Sequence, residues 1–441
     1  MKISRINIEN YKKVRDLSLD IPSGNRVICF VGENGCNKTS IISAIYHQIK
    51  RTTQDVSPSD EQDIFFNSTS DCSFSTDVNY CFQEVVLTED DIEYRSVDGV
   101  IKNHRNVSDD VKNNFKSRFK HFSSSRMKNF YYEDWKDPIR KQNIDIVSKN
   151  VLLFRPSQRN ETPSFEVDPN KASEKSLSGS NNVIGRRKFP FKVISGIEKV
   201  ESYFIDVLLD HLIDMHNQVP NEPIYNKFME ILSSIDSDFC QISVTKFPHK
   251  GIKSKNLPSL ASLSSGQSDW LVTAISILVQ VIELSSRTGK SSDEIGGIVF
   301  IDEVDKNYHP KYQEEFMPWL LKTFPNIQFV ITTHSPYLVR SLDSNAVVVK
   351  LPDGEVLNHD FGYWSIEEVS NTIFDKDLGF TAKVQSELQE FEKLLRKNDS
   401  DAIKTEFLRL SGKSESLERK LNQIIYTLGS PDLIASLYET D

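Results

Sequence analysis

The sequence predicts an α/β fold: a parallel-sheet core with an antiparallel β-subdomain, an inserted helical lobe and a helical C-terminal tail. Three observations predict it. The apolar strand Arg26 to Val31 (RVICFV) runs directly into a glycine-containing loop and then a helix from Lys38. Two later apolar strands, Ile298 to Ile301 and Ile327 to Thr332, each end in polar residues and are separated by a helical stretch. Alternation of buried strands with helices is the pattern of an α/β sheet, because each crossover between parallel strands needs a covering helix.

In chain order, residues 2–8 and 16–21 alternate apolar and polar side chains as half-buried strands do. Residues 51–74 are rich in Ser, Thr, Asp and Gln and read as a loop or insertion. Val78 to Val97 reads as a hairpin broken at Thr88-Glu89-Asp90. Residues 108–142 read as helical and basic, with Lys112, Lys116, Arg118, Lys120, Arg126, Lys128, Arg140 and Lys141 outnumbering the acids. Val151 to Phe154 returns to a strand, and 164–182 is polar and Ser-rich, followed by Arg186-Arg187-Lys188. Helical periodicity dominates 193–215 and 225–235. A long apolar helix follows over about 266–284, then the strands and intervening helix already named, and a charged helical tail from Ile366.

These elements divide the chain into an N-terminal half-core with its β-subdomain (1–110), an inserted helical lobe (111–262), the C-terminal half-core (263–350) and a tail for docking or oligomerisation (351–441). With 441 residues and 38% hydrophobic composition the chain can bury one large core carrying an inserted lobe. A net charge of −10 argues against a surface that binds nucleic acid everywhere, while leaving a local basic patch open. The five cysteines form no CxxC pair, so neither a zinc site nor a disulfide framework is expected, and a reducing cytoplasm fits. No apolar run is expected to span a membrane.

Four motifs carry chemistry. The first is Gly32-Glu33-Asn34-Gly35-Cys36-Asn37-Lys38-Thr39, between a buried strand and a helix, the setting of a phosphate-binding loop. Its backbone N–H groups are expected to surround phosphates, with Lys38 on the outer phosphates, the Thr39 hydroxyl on Mg²⁺, and Ser40 beside it. Asn37 stands where a glycine is expected. Asparagine tolerates left-handed backbone angles better than most residues, so the loop shape can survive; the alternative is a degenerate loop.

The second motif is Gly296 to Glu303, an apolar strand ending in two acids at the carboxyl edge of the sheet, where open α/β sheets bind ligands. Asp302 is expected to hold Mg²⁺ through water and Glu303 to polarise the attacking water. The third is Thr332-Thr333-His334-Ser335-Pro336, at the end of the next strand, which offers His334 as a switch beside the γ-phosphate. The fourth, Leu263-Ser264-Ser265-Gly266-Gln267 before the long apolar helix, suits close backbone approach to an anion, although alone it is also an ordinary helix cap.

In that order the four motifs resemble the ABC-type ATPases, and the opening Ile6-x-Ile8-x-Asn10-Tyr11-Lys12 resembles their RecF/SMC-like branch. The resemblance implies an ABC-type ATPase head using ATP and Mg²⁺. In such heads Ser264, Ser265, Gly266 and Gln267 act in trans on nucleotide held by a second copy, so a head-to-tail dimer or a higher oligomer is implied. Gln158, which also reads as a polar loop residue, takes the place of the glutamine that senses Mg²⁺, and Asp305 and Asn307 that of the loop communicating across the dimer. The chain lacks long heptad arms, a CxxC hook and a paired-acid nuclease pattern after the histidine motif.

A compact ATPase with a helical tail resembles most the ATPase subunits of antiphage systems, the PtuA type of Septu and retron-linked Septu first and the AriA type of PARIS second. The function implied is ATP binding and slow hydrolysis in a cytoplasmic sensor or scaffold subunit that regulates a separately encoded HNH or TOPRIM nuclease. The alternative is a RecF-like repair ATPase that binds duplex DNA through residues 112–141 and 186–188. That stretch also reads as a solvated helical face. DNA or RNA remains a further candidate partner.

Overall fold

The computed structural model describes residues 1–51, 80–101, 108–119, 122–126, 129–133, 146–157, 197–217, 223–240, 242–244, 252–254, 260–342, 346–374, 382–397 and 400–428. It separates into two compact units, Met1–Val369 and Ser370–Asp441.

The first unit is built on two six-stranded sheets. One is antiparallel throughout, in the order β2-β1-β4-β5-β7-β6, from β1 (Lys2–Tyr11), β2 (Val14–Asp20), β4 (Tyr80–Glu89), β5 (Ile92–Ile101), β6 (Phe122–Arg126) and β7 (Asn129–Glu133). Strict alternation would send Ile3 and Ile6 to opposite faces. A bulge between Ile3 and Arg5 inserts one extra residue, and Ile3, Ile6 and Ile8 all enter the core.

The second sheet has the order β14-β13-β3-β12-β11-β8, from β3 (Val27–Val31), β8 (Val151–Arg155), β11 (Gly297–Ile301), β12 (Ile327–Thr332), β13 (Ala346–Lys350) and β14 (Glu355–Leu357). All neighbours are parallel except the last pair, β13 and β14. Every residue of β3, β11 and β12 is buried, which is why these strands read as continuous apolar runs. Helix α1 (Lys38–Arg51) lies between the sheets, touching β4 and β12, and its Ile41, Ile45 and Ile49 join both faces into one core.

Residues 108–142 differ from their helical reading. Among the described residues of this stretch only α2 (Asp109–Ser117) is helical, and the chain then forms β6 and β7, which extend the antiparallel sheet. The aromatic run Phe130-Tyr131-Tyr132 favours a pleated strand, and this outweighs the scatter of basic residues that suggested a helix face. Two helices, α3 (Ile197–Asn217) and α4 (Pro223–Ile235), pack together and against α5 (Ser265–Thr288). A short strand pair, β9 (Ser243–Val244) with β10 (Ile252–Lys253), follows them. By length and composition α5 could cross a membrane, but 83% of its apolar window is buried inside the protein, as a core helix is. Helices α6 (Pro310–Thr323) and α7 (Pro336–Arg340) pack against each other, and α8 (Ile366–Phe374) spans the unit boundary.

The second unit holds α9 (Ala382–Lys397), α10 (Ser400–Ser411) and α11 (Glu415–Leu428), with a core of their own around Phe391, Leu395, Ile403, Leu410, Leu421 and Ile425. Cys29, Cys36 and Cys81 are buried thiols.

Candidate functional site

The carboxyl edge of the parallel sheet collects the candidate residues. Strand β3 ends at Val31, and Gly32 turns the chain at φ +139°, where a Cβ would sit 2.5 Å from the Leu351 carbonyl oxygen. No other residue fits that turn without moving backbone. Asn37 adopts φ +73°, the left-handed conformation that its side chain type tolerates. Helix α1 starts at the next residue.

The buried Lys38 ammonium donates to the carbonyls of Gly32 at 2.8 Å and Glu33 at 2.9 Å, and lies 3.4 Å from His334 Nδ1. Burial lowers its pKa, opposed by Cys36, Asp302 and Asp305 nearby. Facing an ammonium, Nδ1 of His334 acts as acceptor, which a neutral ring with the proton on Nε2 provides.

The acid pair is tied to the neighbouring strand. Asp302 is fully buried, and its Oδ1 accepts from the Thr332 hydroxyl at 2.6 Å. The Thr332 oxygen in turn accepts the Glu303 N–H at 2.7 Å, and Glu303 turns at φ +48°. Its carboxylate lies 3.9 Å from Lys306 Nζ. Asp305 Oδ1 accepts from the Thr333 hydroxyl at 2.6 Å and from the His334 N–H at 3.3 Å. Residues 302–305 and 332–334 therefore form one hydrogen-bonded unit facing the loop of Lys38.

The serine-glycine motif forms a capped helix start. The Ser264 hydroxyl accepts the Gln267 N–H at 3.3 Å while the Gln267 side chain accepts the Ser264 N–H at 3.1 Å, a reciprocal capping box. Ser264 and Ser265 are exposed. Gly266 is buried, and a Cβ there would lie 2.8 Å from the carbonyl oxygen of Asn307, which has φ +70°. The motif thus packs on the loop that follows the acid pair in its own chain.

A family model described as AAA ATPase domain matches residues 1–339, about three quarters of the chain. The chain belongs to that family. Among curated proteins, this ATPase is 21% identical to the "Retron Vc95 probable ATPase" of Vibrio cholerae serotype O1 biovar El Tor, over 93% of this chain and 86% of the relative. It is 22% identical to the "Septu protein PtuA" of Bacillus thuringiensis, over 92% and 93% respectively. A solved SMC head bound to the C-terminal winged-helix domain of ScpA aligns with 81% of this chain and 97% of its own at 13% identity and a TM-score of 0.45. Homology to a retron probable ATPase and to Septu protein PtuA accords with the resemblance carried by the motifs, and the mixed parallel and antiparallel sheets are those of an ABC-type ATPase head.

The donor set of the ATPase suits a nucleotide. Lys38 is held by backbone carbonyls alone among oxygen acceptors, and the Asn37 side-chain nitrogen is buried without a hydrogen-bond partner. Among the described residues no cluster of three or more His, Cys, Asp and Glu could cage a metal by itself. Mg²⁺ bound by phosphates, water, one hydroxyl and one carboxylate needs no such cage.

Gln158 lies outside the described residues, although Ser157 before it accepts from Lys306 Nζ at 2.7 Å. Thr332, Lys12 and Gln313 escaped the sequence reading as site residues. Lys12 donates to the Ser40 hydroxyl at 2.7 Å, and Gln313 donates to the Tyr308 carbonyl at 2.8 Å and accepts from Ser335. Thr332 was legible in its motif, whereas Lys12 and Gln313 meet their partners only through the fold. In the basic stretch, Lys112 pairs with Asp109 at 2.9 Å and Arg118 with Glu9 at 2.5 Å, leaving Lys116 exposed.

Proposed function

We propose that this chain is a slow ATPase that closes head-to-tail with a second copy around ATP and Mg²⁺ and serves as the sensor or scaffold subunit of an antiphage complex. A separately encoded nuclease, HNH or TOPRIM in type, is its effector. The observation that carries the ATPase reading is the convergence of Lys38, Asp302, Glu303 and His334 on one sheet edge. The antiphage reading draws on relatives named for retrons and Septu.

In this reading the amides of Gly32 to Lys38, including Asn34, Gly35, Cys36 and Asn37, surround the phosphates, and Lys38 exchanges its carbonyl partners for phosphate oxygens. Thr39, Asp302 and Gln158 hold Mg²⁺, with Ser40 beside them. Bound Mg²⁺ neutralises charge on the outer phosphates. Glu303 accepts a proton from the attacking water, and His334 contacts that water and the γ-phosphate. Ser264, Ser265, Gly266 and Gln267 meet the nucleotide of the opposite copy, and Asp305 and Asn307 carry the state of one site to the other.

The test is a pair of variants with ATP binding, turnover and mass in solution measured together. Lys38→Ala is expected to lose ATP binding, and Glu303→Gln to bind ATP and accumulate as the closed dimer. A Glu303→Gln protein that hydrolyses ATP like wild type removes Glu303 as the base. Co-expression with the nuclease gene adjacent in the genome tests the effector: release or restraint of DNA cleavage by ATP supports it, and independent action of the two proteins sinks it.

A further inference from the structure

Strand β8 ends on Arg155, whose side chain is 1% exposed and among the largest fully buried. Its Nη2 lies 2.8 Å from Oδ1 of Asp269, a carboxylate with no exposure, on α5 just after the capped serine-glycine motif. Removing two charges from water is costly, and well-packed apolar side chains often fill the same space with equal or better stability. What such a pair adds is a fixed geometry between the two elements that carry it.

Arg155 also holds the acid strand. It is in register with Ile301, and its carbonyl accepts the Asp302 N–H at 2.9 Å. Two residues later the Ser157 carbonyl accepts from Lys306, the lysine 3.9 Å from Glu303. On the other side, Asp269 stands one helical turn beyond Ser265, so a rotation of α5 about this point swings the motif's exposed serines. The backbone of Arg155 is thus joined to the acid pair and its side chain to α5, the helix that begins with the serine-glycine motif.

We infer that Arg155 and Asp269 form a positioning pair that sets the angle of α5 against the Asp302–Glu303 edge, so that Ser264 to Gly266 meet a second copy's nucleotide in register with the acids of their own chain. This rests on the two-copy ATPase reading above. Neither side chain touches nucleotide in that arrangement, so the effect falls on closure and turnover, not on the affinity of one chain for ATP.

Single truncation leaves an uncompensated buried charge and is strongly destabilising, so the test in the full chain uses paired substitutions. R155M/D269L is expected to keep a thermal midpoint near wild type and an ATP affinity within about threefold, while kcat and the ATP-dependent dimer fraction fall about tenfold or more. R155K/D269E, which keeps an ion pair across the gap, is expected to recover kcat to within about threefold. A folded R155M/D269L with wild-type kcat overturns the inference, as does a folded R155K/D269E no more active than the apolar pair. If the apolar pair does not fold, R155K replaces it: kcat lowered about tenfold at unchanged ATP affinity supports the inference, and wild-type kcat overturns it. Ser265→Arg and Glu303→Gln run alongside. If both turn over ATP like wild type, the two-copy reading has failed and the inference with it; if both are inactive while R155M/D269L is fully active, the inference alone falls.

Discussion

The sheet edge around Asp302 and the start of α5 around Ser264 are both polar ends of apolar elements, yet they are built in opposite ways. At the edge, Asp302, Thr332 and Thr333 are buried, Glu303, Asp305 and His334 are half-buried, and hydrogen bonds tie them together: Thr332 bridges Asp302 and Glu303, and Asp305 holds both Thr333 and the His334 backbone. At the helix start, Ser264 and Ser265 are exposed, and the capping box with Gln267 is a local arrangement within one turn. A buried polar network is high-stakes, because each unpaired group loses its full solvation. An exposed cap is cheap to rearrange. The contrast is what the proposed two-copy site requires: one half assembled within the chain, the other displayed for a partner.

The largest effects belong to the half assembled within the chain. Lys38→Ala removes the one ammonium in the loop and is expected to abolish measurable ATP binding by fluorescent-nucleotide titration. Glu303→Gln is expected to keep binding and lower kcat about 10²–10⁴-fold, the contribution general for a positioned proton acceptor. Equal loss of binding in both variants would mean that the edge is not divided between holding phosphate and activating water.

Ser265→Arg addresses the displayed half. The long charged side chain leaves the chain's own phosphate loop untouched, so ATP binding by the monomer is expected to persist while the dimer seen by light scattering disappears and turnover falls at least about tenfold. Turnover unaffected by Ser265→Arg would place the whole reaction within one chain and erase the distinction.

How much of this was legible in the sequence follows the same division. Buried parallel strands must be apolar along their length, so β3, β11 and β12 announced themselves, and their polar ends marked the edge. The left-handed turn at Asn37 was legible because its residue type allows it. The bulge after Ile3 was not, since it depends on the register of β4, a strand nearly eighty residues away. Strands β6 and β7 were hidden by basic residues spaced like a helix face, and β7 joins the sheet through its pairing with β5, which local reading does not see. The Arg155–Asp269 pair joins residues 114 positions apart, and neither residue sits in a motif that names its partner.

Thr332→Val probes how far the buried network supports the acids. Valine keeps the volume and the β-branched shape but leaves the Asp302 carboxylate and the Glu303 N–H without the bridging oxygen. The expected loss is about 1–3 kcal/mol of stability, read as a lower denaturant midpoint at unchanged slope, together with a reduced kcat. A neutral outcome would mean that water replaces the hydroxyl and that the edge is less closed than its burial implies.

Ser264→Ala should be the mildest change. It removes the cap oxygen for the Gln267 N–H and is expected to lower stability by about 1 kcal/mol, as loss of an exposed N-cap does. Because Gln267 also donates to Asp236 at 3.3 Å, the helix start stays anchored when the cap is gone. On the two-copy proposal the same substitution is therefore expected to lower turnover by more than its small stability cost accounts for, since the hydroxyl would then be missing where the second copy's nucleotide meets the helix. If turnover falls only as the folded fraction does, the serine is a cap and nothing more, and the displayed half of the site begins at Ser265.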